Sequence, residues 1–499
     1  MNHNEIKSVV IIGAGPVGLS AAAHLLSRNI QPIVIEKGAS VGEAISQWGH
    51  VRVFSPWKYV FDKQVRAILE KSGWQAPDPE GLPTGHEIVE QYLKPAAATS
   101  ELQKVIKLNA EVIAVSKQNH AKSSSNGRDE ALYTIHVKSR EGVVDIIKAQ
   151  AVIDASGTWS NPNPIGLDGL PIPGEQENKG AIVYGIPNTL GKDKEDYANK
   201  RVLVLGGGHS AINVALDLLK LQKSYPSTKV VWGLRTNKLE KLLGGGINDE
   251  LPARGELGIA AKNAIDNGLL DLLAPFAVNS INKTETGLTI SANVEGQDQS
   301  FEVDRIIVAA GFRPDLNMLR ELRLDLDNIV EAPKELAPLI DPNLHSCGTV
   351  PPHGFRELTH PDKNFFIVGM KAYGRAPTFL MLTGYEQVRS IAAELAGDHD
   401  AAKRVELVLP KTGVCSSKKS DVGSGCCKTG SVDTSTSCCA PTPNKEPTEA
   451  PVSKASSCCG TNNEKVEALP EFQPQEPASS CCGPAKNEQK APQKTSCCG

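Results

Sequence analysis

Two glycine-rich turns, each set between an apolar strand and a helix, constrain this 499-residue chain more than any other feature. The first runs from a strand at Ser8–Ile12 through Gly13-Ala14-Gly15-Pro16-Val17-Gly18 into a helix predicted over Leu19–Ser27. The second runs from Arg201–Leu205 through Gly206-Gly207-Gly208-His209-Ser210-Ala211 into a helix predicted over Ile212–Leu221. In this context the glycines serve a tight turn, close backbone approach to a pyrophosphate, and close helix packing, while the helix N-terminus stabilises phosphate charge. Gly13, Gly15 and Gly18 therefore read as one dinucleotide site, and Gly206, Gly208 and Ser210 as another.

The strand that follows each turn distinguishes the two sites. Pro32–Ile35 ends in Glu36, whose carboxylate suits ribose hydroxyls. Lys229–Leu234 ends instead in Arg235, which can pair with a 2′-phosphate where an acid would repel it. That favours NADPH at the second site; the plainer alternative makes Arg235 an ordinary loop charge. A third apolar strand, Arg305–Ala310, leads into Gly311-Phe312-Arg313-Pro314-Asp315. The expected fold class is α/β, with parallel sheets and two Rossmann-like dinucleotide-binding domains, the second inserted in the first. The expected boundaries are 1–165 and 301–411 for the outer domain and 166–300 for the inner one. A Cys-rich tail, expected to be disordered, occupies 412–499.

Composition sharpens this division. Lys plus Arg (53) nearly balances Asp plus Glu (57), leaving no bulk charge suited to nucleic acid or an anionic membrane. No run of about 18 apolar residues suggests a membrane span. Val9–Ala23 lacks a basic leader and carries the phosphate-binding glycines, so it does not read as a signal peptide and the expected address is cytoplasmic. Of twelve cysteines, only Cys347 precedes Cys415. After Thr412 the only aromatic is Phe472, too little apolar surface to offset ordering entropy.

Five vicinal pairs fill the tail: Cys426 and Cys427, Cys438 and Cys439, Cys458 and Cys459, Cys481 and Cys482, Cys497 and Cys498. Adjacent cysteines are poor disulfide staples, and the spacing is not that of a zinc ribbon. Their soft thiolates suit thiophilic species such as Cu(I) and, by the same chemistry, mercury or trivalent arsenic and antimony. Neutral expansion of a low-complexity repeat is the alternative.

Beyond the glycine turns, Asp154-Ala155-Ser156-Gly157-Thr158-Trp159-Ser160 and Ile307-Val308-Ala309-Ala310-Gly311-Phe312-Arg313-Pro314-Asp315 sit where two linkers between nucleotide domains would lie. On these motifs residues 7–410 resemble the two-dinucleotide-binding-domain flavoproteins, particularly the class B flavin monooxygenase-like branch. The resemblance implies FAD on the first unit, NADPH on the second, and FAD contacts at Gly157 and at Gly369 in Phe365-Phe366-Ile367-Val368-Gly369-Met370. Met370 stands where such proteins carry an acid. The fingerprint F-x-G-x-x-x-H is replaced by Tyr184-Gly185-Ile186-Pro187-Asn188-Thr189-Leu190. The body also lacks the C-x-x-C or C-x-x-x-x-C dithiol of thioredoxin, glutathione or mercuric reductases.

His345-Ser346-Cys347-Gly348, His353, Cys415 and the Lys371–Phe379 segment resemble the flavoproteins associated with arsenic-resistance operons. That resemblance implies that Cys347 and Cys415 hold a trivalent arsenical, with Arg375 as a further candidate catalytic residue. Cys347 as a small buried hydrophobe is the alternative. Gly244–Gly255, with Asp249 and Arg254, reads as a mobile substrate loop or a plain surface excursion. Trp48, Trp57 and Tyr59 read as core packing or flavin stacking. The expectation is an FAD- and NADPH-dependent oxidoreductase that uses O2 to oxidise a small-molecule or metalloid substrate. A reductase working through the tail thiols and a thiol-rich metal buffer are the alternatives.

Overall fold

The computed structural model describes residues 6–237, 252–342, 350–376 and 380–407. The chain first lays down β1 (Ser8–Ile12), α1 (Pro16–Leu26), β2 (Gln31–Ile35), α2 (Lys63–Lys71) and β3 (Ile106–Lys107). An antiparallel excursion follows, β4 (Ala110–Lys117), β5 (Tyr133–Ser139) and β6 (Val144–Ala149), before β7 (Ala151–Asp154) returns to the parallel sheet. The second unit repeats this plan. Its elements are β8 (Ile182–Tyr184), β9 (Arg201–Leu205), α3 (His209–Ser224), β10 (Lys229–Gly233), α4 (Pro252–Asp266) and β11 (Asp271–Leu273). Its own antiparallel excursion is β12 (Phe276–Lys283), β13 (Leu288–Val294) and β14 (Gln297–Val303), and β15 (Arg305–Val308) follows. The chain then returns to the first unit with β16 (Phe365–Ile367) and α5 (Met381–Leu395).

The sheet orders are β16-β7-β1-β2-β3 and β8-β15-β9-β10-β11, with every neighbouring pair parallel. The two match strand for strand. They differ only in that the edge strand arrives last in the first unit and first in the second. β1 and β9 each have neighbours on both sides, so the turns that leave them sit where successive connections diverge, the position at which open α/β sheets bind ligands.

Apolar β-branched runs explain the central strands. Val9, Val10, Ile11 and Ile12 of β1 are all 5% exposed or less, as expected of a strand covered on both faces. α1 is buried almost all round, from Val17 to Leu25, and packs against both α5 and its own sheet. Both predicted helices start earlier than expected. Pro16 takes the first turn of α1, where no backbone N–H is needed, and His209 opens α3 directly after Gly208.

Two expectations are corrected by strand pairing and helix geometry. β14 crosses the expected boundary at 300, and β15 pairs with both β8 and β9, so the second unit runs through at least Val308. Arg254, expected in a loop, lies buried in α4. Asp249 lies outside the described residues, as do Cys347, Cys415 and the whole of 412–499. Among the described residues no helix is long and apolar enough to cross a membrane.

Candidate functional site

At the C-terminal end of β1 the motif glycines divide their work. Gly13 turns at φ +98°, and a Cβ there would lie 2.8 Å from the Ala155 carbonyl oxygen. A Cβ on Gly18 would lie 2.0 Å from the Gly13 carbonyl oxygen, so α1 can reach the turn only without a side chain. Gly15, by contrast, has nothing within 4 Å of its Cβ position, and neither has Gly157 at φ +69°. Close backbone contact thus surrounds an open face at the helix start, the shape a pyrophosphate requires.

Glu36, 8% exposed, is held rigidly beside this opening. Its two carboxylate oxygens accept hydrogen bonds from Ala14 N and Gly38 N, both at 2.7 Å. Each oxygen keeps a further lone-pair site for a ribose hydroxyl. Gly369, which follows β16, packs against Val17 of α1, 3.3 Å from its Cβ position. The residues present therefore suit the ADP half of FAD.

Behind the opening lies a polar network that sequence reasoning missed. Lys371 Nζ donates to Asp154 Oδ2 at 2.7 Å and to Ser156 Oγ at 3.1 Å. Ser156 donates from both Oγ (2.6 Å) and N (3.0 Å) to Asp154 Oδ1. The Lys371 and Asp154 side chains are 1% and 0% exposed. A lysine inside the apolar run Phe365–Tyr373 was the available signal.

A second chain of bonds anchors Gly369. Its N–H donates to Gln387 Oε1 at 2.8 Å, and Gln387 Nε2 lies 2.8 Å from His353 Nε2. His353 Nδ1, 3.1 Å from the Pro351 carbonyl, must donate, so Nε2 accepts from Gln387 and the ring is neutral. Burial also lowers the pKa of His353. His353, grouped in the sequence with the cysteine cluster, is thus committed to holding the Gly369 turn.

Arg375, expected to be catalytic, makes a two-point pair with Glu331 (2.8 and 3.0 Å), which occupies its guanidinium at the surface. Trp57 is buried and stacks on Phe61 with centroids 5.0 Å apart, while Trp48 packs on the core against Gly85. Both tryptophans therefore serve packing.

The second opening repeats the first. Gly206 turns at φ +138°, where a Cβ would meet the Ala309 carbonyl oxygen at 2.2 Å. Trp232, fully buried, donates from Nε1 to the Gly206 carbonyl at 2.9 Å. Gly207 and Gly208 have nothing within 4 Å of their Cβ positions, and Ser210 follows in the first turn of α3. Ala211 is fully buried and takes the third motif position. Arg235 is exposed two residues beyond Gly233, which pairs with Leu205 just before the turn. The residues present suit a dinucleotide phosphate, with a cation at the same sheet end.

The two units meet through short contacts. Phe54 of the first lies edge-on to His209 at the start of α3, with centroids 5.4 Å apart. Trp159 of one linker packs at a tilt against Phe312 of the other, with centroids 4.5 Å apart, and donates from Nε1 to Gln47 at 2.6 Å. Asn161 and Arg313 bond across the linkers as well. Among the described residues, no group of three His, Cys, Asp or Glu side chains is arranged to hold a metal ion.

Comparison with known proteins places this architecture. Residues 10–348 match the family model described as pyridine nucleotide-disulphide oxidoreductase. A ferredoxin–NADP reductase of Thermus thermophilus is 24% identical over 366 residues, covering 72% of this chain and 87% of the reductase. In fold, the chain is similar to bacillithiol disulfide reductase from Bacillus cereus: TM-score 0.57, 21% identity, covering 79% of this chain and 99% of that one. It is also similar to the FAD-bound cadaverine monooxygenase of Erwinia amylovora: TM-score 0.53, 14% identity, covering 82% and 99%. The chain belongs to the pyridine nucleotide-disulphide oxidoreductase family and is an FAD- and NADPH-dependent oxidoreductase.

Proposed function

We propose that the protein is a flavin monooxygenase acting on a soft nucleophile such as a trivalent organoarsenical, with the cysteine tail as a thiophile-capturing arm. Gly13, Gly15, Gly18, Glu36, Gly157 and Gly369 hold FAD; Gly206, Gly208, Ser210 and Arg235 hold NADPH. The two cofactors supply hydride transfer from nicotinamide to flavin and two-electron delivery to O2, one O2 per NADPH. The chain's own residues orient these partners: the open faces at Gly15 and Gly208 admit phosphates, Glu36 fixes a ribose, and Arg235 selects the 2′-phosphate. Cys347 and Cys415 take the substrate, and the ten paired tail cysteines raise its local concentration by making delivery intramolecular. The proposed location is the cytoplasm, where thiols stay reduced.

The observation that carries this reading is two matched glycine openings in a body that, up to residue 414, has a single cysteine. Thioredoxin, glutathione and mercuric reductases pass electrons through a C-x-x-C or C-x-x-x-x-C dithiol, which this body lacks. The five tail pairs favour a second reading, a metalloid reductase in which they carry the electrons.

Oxygen stoichiometry separates the two. Purified protein with methylarsenite should consume one O2 per NADPH and stop under argon; unchanged anaerobic turnover would refute the monooxygenase. Deleting residues 416–499 should raise the KM for the arsenical and spare kcat, whereas a reductase working through the tail would lose turnover. No flavoprotein turnover with any metalloid would point to a thiol buffer.

A further inference from the structure

We infer that Lys371 is a positioning residue of the flavin site, whose sealed ammonium balances Asp154 and sets the charge against which bound flavin is reduced. The inference rests on the reading of the first glycine opening as the FAD site. Its starting point is register. Ile12 pairs with Asp154 and Asp154 with Ile367, so β1, β7 and β16 end side by side. Each then turns directly into the site: Gly13 after β1, Gly157 after β7 and Gly369 after β16. Lys371 lies in the turn Gly369–Tyr373, and its charge crosses to the end of β7.

The network reaches the opening through Ser156. That residue is exposed, although the ammonium bonded to its hydroxyl is sealed. Ser156 Cα lies 3.1 Å from the Cβ position of Gly13, in direct contact with the phosphate-binding turn. The serine thus touches both the ammonium and that turn.

Two physical arguments favour an electrostatic role over a packing role. A buried ion pair is no better at filling space than apolar side chains of the same volume, and it requires two desolvations. Charges shielded from water also act on neighbouring groups at a far lower effective dielectric than surface charges do. Reduction adds negative charge to a flavin, so an unbalanced Asp154 would oppose it and an unbalanced Lys371 would favour it. At 370, where the flavoprotein resemblance implies a carboxylate, there is Met370, and the buried acid that Lys371 meets is Asp154 at the end of β7.

The test uses the full-length FAD-loaded protein and a dye-coupled reductive titration without NADPH or oxygen. Lys371→Met leaves Asp154 alone and should lower the reduced-to-oxidised ratio at fixed potential about tenfold, or about 30 mV for a two-electron couple. Asp154→Asn leaves Lys371 alone and should raise the ratio by a similar factor. The double variant, neutral like the wild type, should return close to the wild-type potential, and Lys371→Arg should retain it. If Lys371→Met does not hold flavin, the upward shift in Asp154→Asn and its cancellation in the double variant decide the matter.

A packing role predicts parallel losses of flavin content in both single variants, with an unmoved potential in the flavin retained; that result would overturn the inference. Single variants shifting in the same direction would also overturn it. A wild-type protein that takes up no flavin would overturn the underlying FAD reading as well. Flavin bound with unmoved potentials overturns the role of Lys371 alone.

Discussion

Alanine at Gly15 and alanine at Gly18 should produce opposite phenotypes, although the two glycines stand three residues apart in one motif. At Gly18 the added methyl carbon would lie 2.0 Å from the Gly13 carbonyl oxygen. Backbone lies on both sides, so α1 must move away by more than an ångström. Overpacking of this kind costs about 1–3 kcal/mol, and a backbone obstacle puts it at the upper end. At about 2–4 °C per kcal/mol for a domain of this order, the flavin-free protein should melt roughly 6–12 °C lower.

At Gly15 the backbone sits at φ −78° and ψ −174°, which any residue adopts, and the methyl meets nothing within 4 Å. Lower unfolded-state entropy contributes about 0.4–1 kcal/mol, and the poor quality of alanine as a helix N-cap offsets a similar amount. The flavin-free Gly15→Ala protein should therefore melt within about 2 °C of wild type. Its methyl would occupy the face proposed to receive the pyrophosphate, and a tenfold loss of FAD affinity is about 1.4 kcal/mol. Differential scanning fluorimetry of stripped protein, with and without excess FAD, reads both effects, because ligand stabilisation follows the ratio of free ligand to Kd. Gly15→Ala binding FAD as tightly as wild type would refute the assignment of that face. Gly18→Ala melting unchanged would refute the close-packing argument.

Other substitutions test separate parts of the molecule. Arg235→Glu should raise the KM for NADPH about tenfold or more while leaving that for NADH nearly unchanged, since only NADPH carries the 2′-phosphate; steady-state kinetics with both nucleotides decides it. Burial pushes the pKa of His360 down to about 4, below the ~6.5 of an unfolded histidine. The unfolded chain therefore takes up the proton first, and stability should fall by about 3 kcal/mol as pH drops from ~6.5 to ~4. Urea unfolding of His360→Leu should show a flatter pH slope across that window. Arg128 and Asp362 form a sealed two-point pair at 2.6 and 2.7 Å, so Asp362→Asn should cost about 3–5 kcal/mol by leaving a buried guanidinium unpaired. Burial alone would raise the Asp362 carboxyl, but hydrogen bonds from Arg128 and the Arg323 N–H hold it below its usual value. That contribution is present above the unfolded pKa of ~3.9 and is lost as pH falls further, which acid titration of the folded fraction can follow.

Much of the architecture is legible in short stretches of chain. An apolar strand, a glycine turn and a helix are local patterns, so both openings, the acid at Glu36 and the cation at Arg235 can be read without coordinates. The insertion of one unit in the other follows from the motif spacing. The cysteine count separates a body with one thiol before residue 415 from a tail built of thiol pairs.

What depends on partners distant in the sequence had to come from the tertiary structure. Strand neighbours decide that β15 belongs to the second sheet and that the two sheets share one order with the edge strand arriving at opposite times. Contacts across the sheet end separate the turn glycine from the open glycine within one motif, because the same residue type serves either purpose. Asp154 and Lys371 lie 217 residues apart, and only the parallel pairing of β1, β7 and β16 brings them together beneath the first opening. Arg375 and His353 show the same dependence: only the fold reveals that Glu331 pairs with the first and Gln387 bonds the second. Residue type sets which interactions a side chain can make, and the fold determines which neighbours are close enough to make them.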